Sequence, residues 1–545
     1  MRLCGGRGVA RRGSGRARRP QSDAPGPEDT LTSAVSTPHR LSTSAACRVL
    51  EAGGNAVDAA IAATATQGVV APETCGIGGD LFALVHRPGW ALPRAVNASG
   101  RSGSKADPES LRRAGVEAIP IDHPLTVTVP GCVDGWAALS SELGTQDLAE
   151  CLASAIGLAE DGYEVSTEQS MTFRSTAGMY AHHPAVQELY PSGAPVAPGS
   201  LVRRPALAAT LRAIGDHGRD AFYTGIPAED IISELGGIIT AEDLARSQAE
   251  WVEPISCRVA GLEAWTIPPN SIGYLGPATV AVFEMLEPPA DPGHPDWWHL
   301  LIESYRSLAW ERDDVVADPA HAPLPADLLL DHDRLSRAAA TVRRDRTGTW
   351  PAIGSPSGTA YMCVVDDQGM AVSMIQSNYN GPGSAFGAAR SGFLLHNRGA
   401  GFTLTPGHPN ELAPGKRPLH TLSPTLWTDG DEPRWVIGTR GGGLQPQMVA
   451  QIAARVVLAG QDTQTAQGAP RWAIADLGPF SAPGVQVEPG VPAATLRELR
   501  RRGHQIEEMV SPQSAWGPVS VIAIDGDRRD THRDPRVDTT EAVVL

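Results

Sequence analysis

A loop of small residues and proline runs directly into a β-prone segment at Ser355-Pro356-Ser357-Gly358-Thr359-Ala360-Tyr361-Met362-Cys363-Val364-Val365-Asp366. The turn-forming residues 366–369 and a second apolar segment, residues 370–376, come next. A glycine that closes such a turn favours a β-hairpin. The sequence therefore predicts two antiparallel strands here, with Thr359 at the start of the first.

A threonine at this junction has a second interpretation besides that of a strand start. Cleavage of the Gly358–Thr359 bond would leave Thr359 with a hydroxyl and a free α-amine on one residue. A threonine hydroxyl becomes nucleophilic when a base takes its proton, and an α-amine with a pKa of about 7.7–8.0 can do so near neutral pH. A Gly-Thr step alone is more often only a strand start, so other parts of the chain must decide.

Length and composition narrow the class of protein. A chain of 545 residues is expected to form two domains or one large intertwined domain. Its net charge of −16 argues against a nucleic-acid-binding body, and no apolar stretch has the length of a membrane span. The seven cysteines include no C-x-x-C pair, which argues against a disulfide framework or a zinc site. Reduced thiols and a cytoplasmic location fit best.

Residues 1–33 are predicted to be a disordered, arginine-rich tail, and folded sequence is expected from about Ala34. The tail is open to three interpretations: a nucleic-acid-binding arm, a targeting segment or a start codon assigned too far upstream. No apolar stretch follows its paired arginines, so a secretory signal is not expected. The arginines are Arg2, Arg7, Arg11, Arg12, Arg16, Arg18 and Arg19.

Apolar periodicity predicts helices at residues 145–162, 205–217, 297–312 and 446–460. Asn55 is positioned to cap a further helix, and residues 313–358 are expected to be surface structure leading to the cleavage loop. The glycines of Gly76-Ile77-Gly78-Gly79-Asp80 precede a strand rather than a helix, which excludes a dinucleotide-binding fingerprint. At Gly441-Gly442 a strand, a glycine turn and a helix start follow one another. Backbone N–H groups can converge on negative charge there, although a plain tight turn is the favoured interpretation in isolation.

Taken in order, these motifs resemble the γ-glutamyltranspeptidases, which are autoprocessing N-terminal nucleophile hydrolases. The resemblance implies an α+β fold, a four-layer αββα sandwich forming one intertwined domain. It also implies a large subunit, 34–358, and a small subunit, 359–545, which stay associated after cleavage, with no metal and no organic cofactor. The resemblance rests on Gly53-Gly54-Asn55-Ala56-Val57-Asp58, Gly76-Ile77-Gly78-Gly79, Val129-Pro130-Gly131, Ala221-Phe222-Tyr223, residues 237–244, Lys416-Arg417-Pro418-Leu419, Ser423-Pro424-Thr425 and Gly441-Gly442.

Carried over by position, the resemblance makes Thr359 the nucleophile and Gly358–Thr359 the cleavage site. Ser377 stands where the family has a threonine that hydrogen-bonds the nucleophile. Gly441 and Gly442 match the glycines whose N–H groups form the oxyanion hole. Attack on an amide builds negative charge on oxygen, and losing one oriented donor costs about 10²–10³ in rate.

The substrate pocket departs from the family pattern. The family holds the glutamyl α-amino group with Asn, Gln and Asp, where this chain has Tyr379, Arg398 and Gly401. An ammonium cannot be satisfied there, because arginine offers only donors and like charges repel. His420 and Thr421 replace the serine pair that binds the α-carboxylate.

Arg398 could clamp a substrate carboxylate that has no amine beside it, because arginine suits bidentate binding of carboxylates. Arg101 matches the family's carboxylate-binding arginine only across a small gap. A structural salt bridge is an equal alternative for Arg398, and a packed or hydrogen-bonded side chain is favoured for His420.

The sequence therefore predicts an autoprocessing threonine amidohydrolase or acyltransferase acting on a small-molecule amide through an acyl-Thr359 ester. Glutaryl-like amides and small oxo-acid amides such as oxamate fit the altered pocket. One alternative is the family's usual γ-glutamyl transfer or hydrolysis on glutathione. Another, from a different class, is a non-catalytic binding protein whose basic tail contacts nucleic acid.

Overall fold

The computed structural model describes residues 32–349, 358–475 and 484–545 of the protein. The expected tail therefore lies outside the described residues except for residues 32 and 33, as does most of the loop before the cleavage site. The helices are α1 Arg40–Glu51, α2 Ala56–Val70, α3 Glu109–Arg113, α4 Cys132–Leu143, α5 Leu148–Asp161, α6 Thr167–Ser175, α7 Ala177–Tyr180, α8 Pro205–His217, α9 Arg219–Tyr223, α10 Ile226–Glu234, α11 Ala241–Ala245, α12 Leu275–Met285, α13 Pro295–Ala309, α14 Arg312–Val315, α15 His332–Thr341, α16 Gln445–Ala453, α17 Thr463–Gly468 and α18 Ala493–Arg501. The strands are β1 Ala34–Thr37, β2 Asp80–His86, β3 Arg94–Ala98, β4 Tyr163–Glu164, β5 Leu201–Val202, β6 Glu250–Val252, β7 Ile255–Val259, β8 Leu262–Thr266, β9 Gly358–Val365, β10 Ala371–Tyr379, β11 Gly387–Ala388, β12 Phe393–Leu394, β13 Thr425–Asp429, β14 Glu432–Thr439, β15 Trp472–Ala475, β16 Gly484–Val487, β17 Ile506–Glu508, β18 Val519–Asp525, β19 Arg528–Asp530 and β20 Glu541–Val544.

The predicted hairpin is present as the antiparallel pair β9 and β10. Asp366 holds its turn, because one carboxylate oxygen accepts from the N–H of Gln368 at 3.0 Å and of Met370 at 2.9 Å. Gly369 adopts a φ of +80°, which glycine reaches without strain. The other oxygen of Asp366 accepts from the N–H of Ala56 at 2.9 Å and ties the hairpin to the start of α2.

Two antiparallel sheets carry the fold. The seven-stranded sheet has the order β20-β1-β9-β10-β2-β3-β6, and the six-stranded sheet has the order β19-β18-β14-β13-β8-β7. Alternate residues of β2 point to opposite faces, as the period of a strand requires. Phe82 and Leu84 lie in the core between the sheets with Leu426 and Ile522, whereas Leu81 lies in the core under the helices.

Helices cover the outer face of each sheet. Helices α1, α2, α5 and α8 share one apolar core with the seven-stranded sheet, and α12, α13 and α16 share another with the six-stranded sheet. Layers of helix, sheet, sheet and helix therefore follow one another. The expected four-layer αββα sandwich is confirmed.

Strands from before and after the Gly358–Thr359 bond are interleaved in the larger sheet. Strand β9 pairs with β1 on one side and with β10 on the other, and β20 pairs with the far edge of β1. Strand β10 in turn pairs with β2. The two predicted subunits would therefore contribute to the same sheet.

Element boundaries differ from the sequence prediction in three places. Helix α13 begins at Pro295, because His294 caps it by accepting from the N–H of Asp296. The segment expected as surface structure contains the amphipathic α15, which buries Leu335. The helix predicted at 446–460 is α16, followed by a π-helical turn at Ala454–Leu458.

Candidate active site

Thr359 lies at the head of β9 and is fully buried. Its hydroxyl donates to the carbonyl oxygen of Gly358 at 2.7 Å. Thr359 Oγ1 also lies 3.2 Å from the hydroxyl oxygen of Ser377 and 3.3 Å from Nε2 of Gln445, which donates to it. Three neighbouring groups thus fix the position of one hydroxyl.

A β-bulge in β10 brings Ser377 to this position. The register between β10 and β9 shifts between Gln376 and Tyr379, and a bulge re-aims side chains next to it. Ser377 Oγ accepts from the N–H of Tyr379 at 2.8 Å and donates to the carbonyl of Gly358 at 2.7 Å. Tyr379 has a φ of +73°, an uncommon conformation for a residue other than glycine.

Gly441 and Gly442 form the turn between β14 and α16. Their φ angles of +126° and +55° explain why glycine stands at both positions. Among the described residues, no backbone hydrogen bond joins either N–H to the carbonyl of Gly358 in this uncleaved chain. Their place in an oxyanion hole stays a prediction.

Gln445 is a member of this cluster that the sequence did not single out. It is the first residue of α16 and is completely buried. Its Oε1 accepts from the N–H of Ser423 at 3.0 Å while its Nε2 donates to Thr359. A glutamine at a helix start carries no sequence signal of such a contact, because only the fold brings α16 next to β9.

Arg398 is buried without an acidic partner. No carboxylate within ion-pair distance of it occurs in the part of the chain that the structure describes, so the structural salt bridge considered for it is absent there. Its guanidinium carbon lies 3.7 Å from the centre of the Tyr379 ring, and one nitrogen donates to Thr421 Oγ1 at 3.3 Å. Its other terminal nitrogen has no hydrogen-bond partner among the described residues. Burial lowers the pKa of Arg398 to about 10, against the opposing effect of Tyr379 and Asp80.

His420 is hydrogen-bonded to Asp80. Its Nε2 lies 3.1 Å from a carboxylate oxygen of Asp80, its Nδ1 accepts from the N–H of Leu422, and its ring packs on Phe82 at 4.7 Å. Burial, together with the nearby charge of Arg398, lowers the pKa of His420 to about 3. The imidazole is therefore neutral, and its Nε2–H donates a hydrogen bond to Asp80.

Asp80 orders the backbone around this histidine. Its second carboxylate oxygen accepts from the N–H of Gly100 at 3.0 Å and of Gly131 at 3.3 Å. Burial raises the pKa of Asp80, but His396, His420 and Arg398 outweigh it and hold that pKa below its usual value. Asp80 follows the glycines that were excluded as a nucleotide site, and its structural role was not predicted.

Arg101 is held by an acidic partner. One of its nitrogens lies 2.6 Å from Glu250, which also pairs with Arg417 at 2.7 Å. Within the described ranges no hydrogen bond joins Arg101 to Arg398, Thr421 or Thr359. The structure therefore does not connect Arg101 with the rest of the candidate site.

Two groups of predicted residues do come together. Thr359 and Ser377 meet at the head of β9, and Tyr379, Arg398 and Thr421 form an adjoining cluster. The backbone of Tyr379 joins the two groups through its contact with Ser377. A hydroxyl, an adjacent hydroxyl donor and a free guanidinium suit acyl transfer from an acid-bearing substrate.

Residues 32–349, 358–475 and 484–545 contain no group of three or more side chains able to hold a metal ion. Their six cysteines are free. None of their helices has both the length and the apolar character needed to cross a bilayer.

The layered sheets and their helices define the class of protein, that of the N-terminal nucleophile hydrolases. The same architecture occurs in the cephalosporin acylase of Bacillus halodurans, with a TM-score of 0.87, 31% identity, and coverage of 96% of this chain and 98% of that one.

The sequence matches the γ-glutamyltranspeptidase family over residues 42–544, and the chain belongs to that family. It is an enzyme, a hydrolase of the amidohydrolase and acylase type found there. The glutathione hydrolase-like YwrD proenzyme of Bacillus subtilis is 35% identical, over 90% of this chain and 94% of its own length. The oxamate amidohydrolase proenzyme of Klebsiella pneumoniae is 34% identical, over 89% and 93%.

Proposed function

We propose that the chain cleaves itself at Gly358–Thr359 and then hydrolyses or transfers the acyl group of a carboxylate-bearing amide through an ester on Thr359. One observation carries the proposal: the Thr359 hydroxyl lies at the head of β9 between Ser377 and Gln445, in contact with the Gly358 carbonyl. The names of the relatives, which are proenzymes, support self-cleavage.

In self-cleavage, Thr359 Oγ bonds to the carbonyl carbon of Gly358 and the carbon–nitrogen bond breaks. The nitrogen takes up a proton and an ester remains, which water hydrolyses to the Gly358 carboxylate and a free Thr359. The hydroxyl of Ser377 already donates to the oxygen that becomes negative. In turnover, the new α-amine serves as base for Thr359 Oγ, and Gly441 and Gly442 supply oxyanion donors.

Arg398 supports a substrate acid without a neighbouring amine. A guanidinium that is buried, stacked on Tyr379 and unpaired with any acid in the described part of the chain suits a carboxylate ligand. A side chain at Gly401 would begin 2.9 Å from the carbonyl oxygen of Leu419, so the aspartate of the family pattern would not fit there without movement. Oxamate-type and glutaryl-type amides are therefore preferred to γ-glutamyl amides.

The test compares the whole chain with Thr359→Ala by gel and mass spectrometry, and then by turnover of oxamate-, glutaryl- and γ-glutamyl-type amides. The wild-type chain should give two fragments, 1–358 and 359–545. Thr359→Ala should stay whole and lose on the order of 10⁶ in kcat, as loss of a nucleophile does. Thr425→Ala, which changes a buried threonine of β13, should still be cut.

Cutting of Thr359→Ala at the same bond would refute self-cleavage. Strong turnover of γ-glutamyl amides alone would refute the substrate assignment and favour the activity that the Bacillus subtilis relative's name indicates.

A further inference from the structure

A small polar cavity adjoins Thr359 on the side formed by the loop between α2 and β2. Thr359, Glu73, Glu168 and Arg440 are among its lining residues, and its volume of ≈ 10 Å³ gives room for about one water molecule. A wider cleft beside it shares Glu73, Glu168 and Arg440 and borders Gly358. Glu73 therefore lines the space next to both residues of the Gly358–Thr359 bond.

Glu73 is a buried acid, and one of its carboxyl oxygens is unpaired among the described residues. It is 5% exposed, and its Oε2 has no hydrogen-bond partner among the described residues. Arg440, the cation that shares the cavity, is already paired with Glu168 at 2.6 Å and donates to the carbonyl of Ser514 at 3.0 Å. An unpaired carboxylate in such a place is unfavourable relative to the neutral acid.

Burial and the charge of Glu168 raise the pKa of Glu73 to about 8, although a hydrogen bond from its own backbone N–H, together with Arg440 and Arg204, opposes the shift. The carboxyl is therefore protonated at neutral pH. The other titratable groups around it are Tyr163, Cys75 and His39.

The backbone keeps this acid close to the scissile bond. The carbonyl oxygen of Glu73 lies 3.4 Å from the point that a side chain on Gly358 would occupy. The carbonyl of Thr74 accepts from the N–H of Asn378 at 3.3 Å, so the loop is tied to the bulge that positions Ser377.

We propose that Glu73 is the proton donor for breaking the Gly358–Thr359 bond, an inference that rests on the self-cleavage proposed above. Glu73 acts with both carboxyl oxygens: the unprotonated oxygen takes the proton of the Thr359 hydroxyl as Oγ bonds to the carbonyl carbon. The protonated oxygen gives its proton to the departing nitrogen of Thr359 as the carbon–nitrogen bond breaks. The acid is thereby regenerated, and the cavity lets the protons pass through one water molecule.

The test follows conversion of the full chain from the uncut state after cell-free synthesis, on gels, between pH 6 and pH 10. The wild-type rate constant should fall about tenfold per pH unit above about pH 8, because the donor loses its proton. Glu73→Gln keeps the size of the side chain but cannot give up a proton in this way. It should be slower by about 10²–10⁴ at pH 7 and should lack the fall at high pH.

Two further variants keep the test decisive. Glu168→Gln removes a charge that raises the pKa of Glu73 and frees Arg440, so the fall in rate should move to lower pH. The shift in Glu168→Gln can be measured even if Glu73→Gln does not fold. Glu160→Gln, which removes a surface carboxylate of α5 paired with Arg212, should match the wild-type rate.

Folded Glu73→Gln that matures at the wild-type rate would overturn the proposal, as would a fall in rate that Glu168→Gln leaves unmoved. Thr359→Ala distinguishes failure of the self-cleavage proposal from failure of the role proposed for Glu73. If that variant stays whole while Glu73→Gln matures normally, only the role of Glu73 is wrong. If Thr359→Ala is cut, self-cleavage itself is wrong.

Discussion

Arg398 and Arg471 are both buried arginines, but among the described residues an acid lies within ion-pair distance of Arg471 and not of Arg398. Arg471 lies 2.6 Å from Asp534 and also donates to the carbonyl of Trp516 at 2.6 Å. Removing one partner of a buried pair leaves a charge uncompensated and costs about 3–5 kcal/mol. Arg398 has no such partner among the described residues, so its buried charge lacks the compensation that Asp534 gives to Arg471.

We therefore expect Arg398→Met to keep or raise the melting temperature, whereas Arg471→Met should lower it. Arg398→Met should also reduce kcat/KM for carboxylate-bearing amides by about 10²-fold or more, because losing one partner of a buried charge pair costs about 2–5 kcal/mol. Melting curves and steady-state kinetics check both outcomes. A clear loss of stability in Arg398→Met with unchanged kcat/KM would make this arginine a structural residue.

At the level of single residues, the sequence indicated what local motifs encode. The Gly-Thr step, Ser377 and the paired glycines could be named, because each lies in a recognisable stretch. Glu73 and Gln445 could not be, because both lie in segments distant in sequence from Thr359. The cavity and the contact that distinguish them exist only after α6 and α16 have packed.

The bulge in β10 is the element that places Ser377 beside Thr359, and it depends on the left-handed conformation of Tyr379. Asparagine tolerates such a φ, whereas a β-branched residue does not. Both Tyr379→Asn and Tyr379→Ile lose the ring that stacks on Arg398. A difference between the two variants would therefore reflect the backbone conformation at residue 379 and not the loss of the aromatic ring.

We expect Tyr379→Asn to mature, and Tyr379→Ile to mature about 10²-fold more slowly and to melt at a lower temperature. A displacement of reacting groups by about 1 Å is enough for such a loss. Time courses on gels and thermal melts measure both effects. Equal maturation of the two variants would show that the bulge geometry is not required.

For whole elements, the sequence succeeded where one local signal dominates. The hairpin, the Asn55 cap of α2 and the helix at Pro205–His217 follow from turn residues, capping residues and apolar periodicity. Strand β12 is limited to Phe393–Leu394, because its partner β11 is only two residues long. Such pairing is non-local and leaves no trace in a short window of sequence.

At the scale of the whole molecule, the order in which the strands pair determines how the two predicted subunits share one sheet. Strand β9 begins at the cleavage site yet lies between β1, from before it, and β10, from after it. Hydrophobic patterning predicts strands but not this interleaving, which the family resemblance supplied. Because both predicted subunits share sheet and core, cleavage is expected to free the Thr359 amine without separating them.

Buried neutral histidines link the stability of the whole molecule to pH. Burial lowers the pKa of His39 to about 4, of His420 to about 3 and of His504 to about 2, and it also lowers the pKa of His299 and His396. Unfolded histidine has a pKa of about 6.5. Below that pH the unfolded chain binds protons that the folded chain does not. The free energy of unfolding therefore decreases as the pH is lowered.

We expect this free energy to fall by on the order of 3 kcal/mol for each pH unit between pH 6.5 and about 4. In this range at least three histidines take up a proton only in the unfolded chain, and this uptake exceeds the single proton that Glu73 holds only in the folded chain. Denaturant titrations at a series of pH values measure the slope. His39→Asn is the matched variant, since asparagine can replace His39 as the cap of α1 but does not titrate. It should reduce the slope by about 1.4 kcal/mol per pH unit. A stability that stays flat from pH 7 to pH 5, or a slope that His39→Asn leaves unchanged, would mean that the folded chain accepts these protons. The histidine pockets would then have to open to water without unfolding the sandwich.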